Sequence, residues 1–125
     1  MTNYPDITSH SAALFERAQA VLPGGNSRQS VFRAPYPIYI SSANGAVVKD
    51  VDGIERTDIL NNFTALIHGH AHPDIIEAVG AQLPLGTCYA GPTEAEIMLA
   101  ELICERLPSA ERVRFANSGT EAVMM

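Results

Sequence analysis

From Ser9 to Leu22 the apolar residues Leu14, Phe15, Ala18, Val21 and Leu22 recur on one helical face, with Glu16, Arg17 and Gln19 opposite. This spacing predicts an amphipathic helix that Pro23-Gly24-Gly25 ends. A polar stretch, Asn26-Ser27-Arg28-Gln29-Ser30, follows, and Pro35 and Pro37 keep the chain extended toward Ile38, Tyr39 and Ile40. The period then changes to two. Ala46 to Val51 and Ile54 to Ile59 alternate around Asp52-Gly53, the dipeptide of a two-residue type I′ turn, and Asn44-Gly45 supplies an earlier turn. The reading is a three-stranded antiparallel meander over 38–59.

Between Leu60 and His72 no period holds, and irregular, partly apolar backbone of this kind often lines a site. Pro73 and Asp74 suit the first turn of a helix whose inner face would be Ile75, Ile76, Val79 and Leu83. Thr93-Glu94-Ala95-Glu96 reads as the capping box of another helix, with Ile97, Ala100, Ile103, Cys104 and Leu107 as its stripe. Val113 and Phe115 then alternate with Arg112 and Arg114 as in a strand, and Glu121-Ala122 suit a helix start. At that joint Ser118, Gly119 and Thr120 place hydroxyls, free N–H groups and an unhindered backbone around one spot, which suits a phosphate. The same residues also fit a plain cap, with Ser118 at the N-cap and Glu121 reaching back.

The 125 residues and 46% apolar content suffice for one core. Fourteen acidic against eight basic residues give a net charge of −6, which argues against a nucleic-acid or anionic-membrane partner. With no apolar run long enough to span a bilayer and no secretory signal pattern, a cytoplasmic location is expected. Cys88 and Cys104 lack Cys-x-x-Cys spacing and read as reduced thiols. His68, His70 and His72 alternate, but no carboxylate or cysteine stands at ligand spacing beside them, so packing or capping roles are expected and no metal. Lys49 is the only lysine, and its place in the meander suits a solvated edge residue better than a catalytic amine.

Six ordered segments carry a resemblance. They are Leu14-Phe15-Glu16-Arg17-Ala18, Pro23-Gly24-Gly25-Asn26-Ser27, Asp50-Val51-Asp52-Gly53, Gly69-His70-Ala71-His72-Pro73, Gly91-Pro92-Thr93-Glu94 and Asn117-Ser118-Gly119-Thr120-Glu121-Ala122. Together they resemble the class III aminotransferases that use pyridoxal 5′-phosphate (PLP), above all glutamate-1-semialdehyde 2,1-aminomutase and its relatives. The resemblance implies an α/β fold, the N-terminal part of a fold-type-I PLP transferase. Its parts would be an N-terminal helix and meander in a small domain (1–60), then the start of the large PLP-binding domain (61–125) with the first strand of its sheet.

By the same resemblance Ser118, Gly119 and Thr120 would bind the PLP phosphate, and Arg28 would hold a substrate carboxylate with Phe63 and Thr64 as pocket wall. Asn26-Ser27-Arg28 and Phe63-Thr64-Ala65 are similar to β-phenylalanine aminotransferases rather than to aminomutases. The implied activity is PLP-dependent amino-group transfer on an amino-acid or amino-aldehyde substrate in a homodimer, as a 2,1-amino shift on glutamate-1-semialdehyde in the aminomutase version or, alternatively, as transfer to or from a β-amino acid or another amine. The Schiff-base lysine would lie beyond position 125, so no catalytic residue is expected in this stretch. A final helix barely one turn long and a strand without a parallel partner lead to the expectation of a front part of a longer protein. Two rival readings follow from the residues alone: a small non-catalytic binding domain, and a phosphate-binding module of other chemistry.

Overall fold

A computed structural model describes residues 4–125, which form two compact units, one up to Ala81 and one from Gln82 to Met125. In the first unit, helix α1 spans His10–Gln19. Ser9 caps it, its hydroxyl accepting the Ala12 N–H. The expected helix to Leu22 is shorter at its end. Leu22 precedes Pro23 and is extended (φ −121, ψ 129), because the proline ring excludes helical backbone at the residue before it. Leu14, Phe15 and Ala18 are half-buried while Val21 and Leu22 stay exposed.

The meander forms as expected, with β1 (Ile40–Asn44), β2 (Val47–Asp50) and β3 (Glu55–Thr57) antiparallel in the order β1-β2-β3. A bulge lies between Ile40 and Ser42, where the Ser41 hydroxyl reaches the carbonyls of Lys49 and Asp50 at 3.0 Å. The Asp52-Gly53 turn differs from the expected type I′ pair. The Gly53 N–H donates to the Asp50 carbonyl, Gly53 alone turns left-handed (φ 82), and Val51 joins the loop. The physical reason lies in two carboxylates. Asp50, 3% exposed, accepts the Ile54 N–H at 2.7 Å and pairs with Arg56, which fixes the loop ends. Asp52 is thereby aimed at α1, where it accepts the His10 and Ser11 N–H groups at 2.6 and 3.2 Å. Lys49, expected at an edge, sits on the central strand and is exposed.

Tyr36, 4% exposed, is the buried apolar residue of this unit among those described. Its hydroxyl donates to the Asp6 carbonyl at 2.7 Å and accepts the Asp6 N–H at 2.6 Å, and the Tyr4 ring meets it edge-on with centroids 5.1 Å apart.

After β3 the backbone makes a single left-handed turn, α2 (Asn61–Thr64), and then α3 runs from Pro73 to Gln82. The face predicted to be internal is exposed, Ile76 at 58%, with Ile75, Val79 and Leu83 likewise open. No element among the described residues covers it, so the periodicity marks an apolar face without supplying its cover. In the second unit, α4 spans Glu94–Arg106 with Ile97 and Leu107 exposed. Thr93 stands extended at its N-cap but makes no side-chain cap bond, so the expected capping box is not formed; water can satisfy those N–H groups at an exposed helix start. Residues 113–116 pair with no strand among the described residues, because a ladder needs a neighbour and all three strands lie in the first unit. Helix α5 (Gly119–Met124) follows.

Candidate active site

Two constellations carry chemistry, one in each unit. In the first, Arg28 stands on a cavity of about 710 Å³ with apolar walls that include Ile38, Val48 and Leu60. Two asparagines orient it. The Asn26 side chain accepts the Arg28 N–H at 3.0 Å and donates to the Arg28 carbonyl at 2.9 Å, which fixes the backbone. The guanidinium donates from Nη1 to Asn62 Oδ1 at 3.1 Å. Among the described residues Arg28 forms no ion pair, so its charge and its remaining donors stay available to an anion entering the cavity.

Asn62 lies in the left-handed turn α2, whose φ values are 50, 49, 59 and 67 from Asn61 to Thr64. Such a run is costly for residues bearing a Cβ, and it persists because neighbours hold it. Asp58 Oδ1 accepts the Leu60 and Asn61 N–H groups at 2.9 Å, and the Asn61 amide donates to the Leu66 carbonyl at 2.8 Å. The other oxygen, Asp58 Oδ2, lies 2.7 Å from His70 Nε2. Hydrogen bonding from His70, with the Asn61 N–H behind it, holds the Asp58 carboxyl below the usual carboxylate range. His70 is fixed in turn by a two-way backbone bridge to Gly45, at 2.8 and 2.9 Å. Of the alternating histidines, His70 thus anchors a loop, while the rings of His68 and His72 meet at a tilt of 54° with centroids 5.3 Å apart and His72 Nδ1 is buried without a hydrogen-bond partner among the described residues.

Arg28 therefore meets the turn that contains Phe63 and Thr64 through its neighbour Asn62, not through Phe63 or Thr64 themselves. Phe63 is 54% exposed, and neither it nor Thr64 lines the Arg28 cavity. Asn26 and Asn62 escaped the sequence reading. Their signal was present, since asparagine two residues before Arg28 suits an Asx turn, and the Asn61-Asn62 pair suits left-handed backbone.

In the second unit Ser118, Gly119 and Thr120 open α5 and are exposed. Ser118 Oγ accepts the Glu121 N–H at 3.2 Å, and Glu121 Oε2 accepts the Asn117 N–H at 2.9 Å, so the cap is built with the glutamate reaching one residue further back than a capping box. That cap leaves the N–H groups of Gly119 and Thr120 without an acceptor among the described residues, and a Cβ built on Gly119 meets nothing within 4 Å. Two amides, the Thr120 hydroxyl and open space suit a phosphate group. The turn is not part of the cavity of about 580 Å³ in this unit, which Ile97, Cys104, Val113 and Phe115 help to line.

The aminotransferase class-III family profile matches residues 29–125. The chain is 49% identical over 114 residues to the glutamate-1-semialdehyde 2,1-aminomutase of Methanothermobacter thermautotrophicus, covering 91% of this chain and 27% of that enzyme. An omega-transaminase from Sphaerobacter thermophilus superposes with a TM-score of 0.92 at 61% identity, covering 98% of this chain and 28% of that structure. A β-phenylalanine aminotransferase from Variovorax paradoxus superposes at 0.85 with 42% identity, over 92% of this chain and 27% of that one. The chain thus spans little more than a quarter of the length of the relatives it matches, 27% for the aminomutase.

Proposed function

We propose, because this chain belongs to the class-III aminotransferase family, that it forms part of an enzyme moving an amino group between a carboxylate-bearing amine and a keto or aldehyde acceptor. The observation that carries the reading is Arg28, a guanidinium held by the neutral Asn62 amide on a cavity with largely apolar walls and left without an ion pair among the described residues. A planar, two-pronged cation of this kind suits a substrate carboxylate, and the apolar walls suit the carbon skeleton beside it.

PLP is the cofactor of this reading, supported by the relatives, one of which is described as a transaminase with PLP bound, at 56% identity and a TM-score of 0.87. When bound, PLP supplies an electron sink for the carbon that loses or gains the amino group. Gly119 and Thr120 would hold its phosphate through their N–H groups and the Thr120 hydroxyl, while Ser118 keeps the turn in shape through Glu121. The sole lysine of the chain, Lys49, is exposed on β2, and on this reading the lysine that carries the cofactor would be supplied by sequence outside this chain. Exposed apolar residues on α3 and α4 support a working homodimer or cover by the rest of a longer protein. A cytoplasmic setting completes the reading.

The reaction could run in two versions with different tests. The likeness to the omega-transaminase at 61% identity favours intermolecular transfer. The 49% identity to an aminomutase supports a second reading, a 2,1-amino shift within glutamate-1-semialdehyde. Full-length enzyme supplied with PLP should transfer nitrogen from β-phenylalanine to a 2-oxo acid, detected as the new amino acid by chromatography. Conversion of glutamate-1-semialdehyde without any acceptor, and no transfer from β-phenylalanine, would select the second reading. No amino transfer from any amine would overturn both.

A further inference from the structure

We infer that Asn62 is a positioning residue that sets carboxylate specificity, holding the Arg28 guanidinium by a neutral acceptor so that its charge is kept for the substrate. The inference rests on the reading of Arg28 as the carboxylate-binding group, and it assigns Asn62 a role that acts through Arg28. Four observations lead to it. Arg28 Nη1 donates to Asn62 Oδ1 at 3.1 Å across 34 positions of sequence. Arg28 and Asn62 line one cavity. Asn62 reaches that place only because its backbone is left-handed at φ 49, inside a turn whose every residue has positive φ. Asp58 pins that turn from one oxygen and is pinned from the other by His70.

The choice of acceptor matters. A carboxylate at this position would orient the guanidinium just as well but would neutralise it and occupy its paired donors. The amide oxygen fixes one donor and leaves the charge uncompensated. A strained turn is an expensive way to present an ordinary surface asparagine, and the strain gains a purpose if the Asn62 amide must stand at the guanidinium.

The test uses the full-length enzyme and a ligand that has the carboxylate but no amino group, 3-phenylpropanoate, titrated by calorimetry, so that binding is read apart from turnover. Asn62→Gly removes the amide at a φ that glycine adopts freely, and should weaken binding by ~5- to 10-fold with an unchanged melting temperature. Asn62→Asp, conservative in shape, should weaken it further, by ~50-fold or more, because the new charge competes for Arg28. The preference in kcat/KM for β-phenylalanine over 1-phenylethylamine, which lacks the carboxylate, should fall in the same order. Neither variant should weaken binding further in an Arg28→Ala background, since the effect passes through the guanidinium. The inference is overturned if Asn62→Asp binds 3-phenylpropanoate as tightly as Asn62→Gly or the parent, or if either variant costs the same with Arg28 removed. A parent enzyme that binds 3-phenylpropanoate yet transfers no amino group would instead overturn the aminotransferase reading and leave the role of Asn62 standing.

Discussion

Ser11 Oγ donates a hydrogen bond of 2.6 Å to Asp52 Oδ2, tying the first turn of α1 to the loop between β2 and β3. That bond, opposed by burial and reinforced by the N–H donors of His10 and Ser11, holds the Asp52 carboxyl below its usual range. A depressed carboxylate stabilises the fold fully above its unfolded value, about pH 4, and the contribution is lost as pH falls through the lower folded value. Asp52→Asn should therefore lower stability at pH 7, by about 0.5 kcal/mol given solvent screening at this exposed site. It should also flatten the loss of stability below pH 4. Denaturant melts of full-length protein and variant at pH 7 and pH 3 check both parts.

Gly69 and Gly53 share positive φ values, 76 and 82, but differ in what surrounds them. A Cβ on Gly69 would lie 2.8 Å from the Gly45 carbonyl oxygen, in the bridge that fixes His70, whereas one on Gly53 meets nothing within 4 Å. Gly53→Ala should cost about 1 kcal/mol of backbone strain alone. Gly69→Ala adds a backbone clash and should cost ~2–4 kcal/mol. Equal thermal shifts for the two variants would show that the Gly45–His70 bridge contributes little.

Ala71 is the reverse case, a residue with a Cβ at φ 51 and an exposed side chain. Glycine there removes strain but adds freedom to the unfolded chain, so Ala71→Gly should stabilise by roughly 0.5 kcal/mol. A differential scan resolves the sign.

Thr120 contributes a hydroxyl to the phosphate turn in the proposed function. Thr120→Val keeps the shape and removes the donor, and should weaken PLP retention about 10-fold, while leaving the Ser118 to Glu121 cap intact. Dialysis followed by the cofactor absorbance of full-length protein measures it.

Arg28→Lys keeps the charge but loses the two-pronged geometry. In the full-length enzyme it should raise KM for β-phenylalanine by ~10-fold or more with a smaller change in kcat, since a point charge neither chelates a carboxylate nor meets Asn62 in the same way. Steady-state kinetics separate the two constants.

Local signals were legible wherever a few neighbouring residues decide the outcome. The start of α1 beside Ser9, Pro73 opening α3, the meander and the Ser118 cap of α5 were of this kind, because each depends on backbone sterics or on donors within one turn. Ile75, Ile76 and Val79 show the limit, since their spacing marks an apolar face but not whether another element covers it. The Asp52-Gly53 loop shows another, its third residue Val51 drawn in while Asp50 is engaged with Arg56 and Asp52 with α1, contacts that lie outside the dipeptide.

By itself the amino-acid sequence determined the helices α1, α3, α4 and α5, the three-stranded meander, the cap at Ser118 and the family, since short-range sterics and motif order carry that information, whereas the strand expected at 112–116 finds no partner among the described residues. Tertiary structure decided that the Arg28 guanidinium meets Asn62, and that a left-handed turn braced by Asp58 and His70 presents that contact. The reason is distance along the chain: a hydrogen bond between residues 34 positions apart leaves no periodic trace, and only the folded path of the backbone brings its donor and acceptor together.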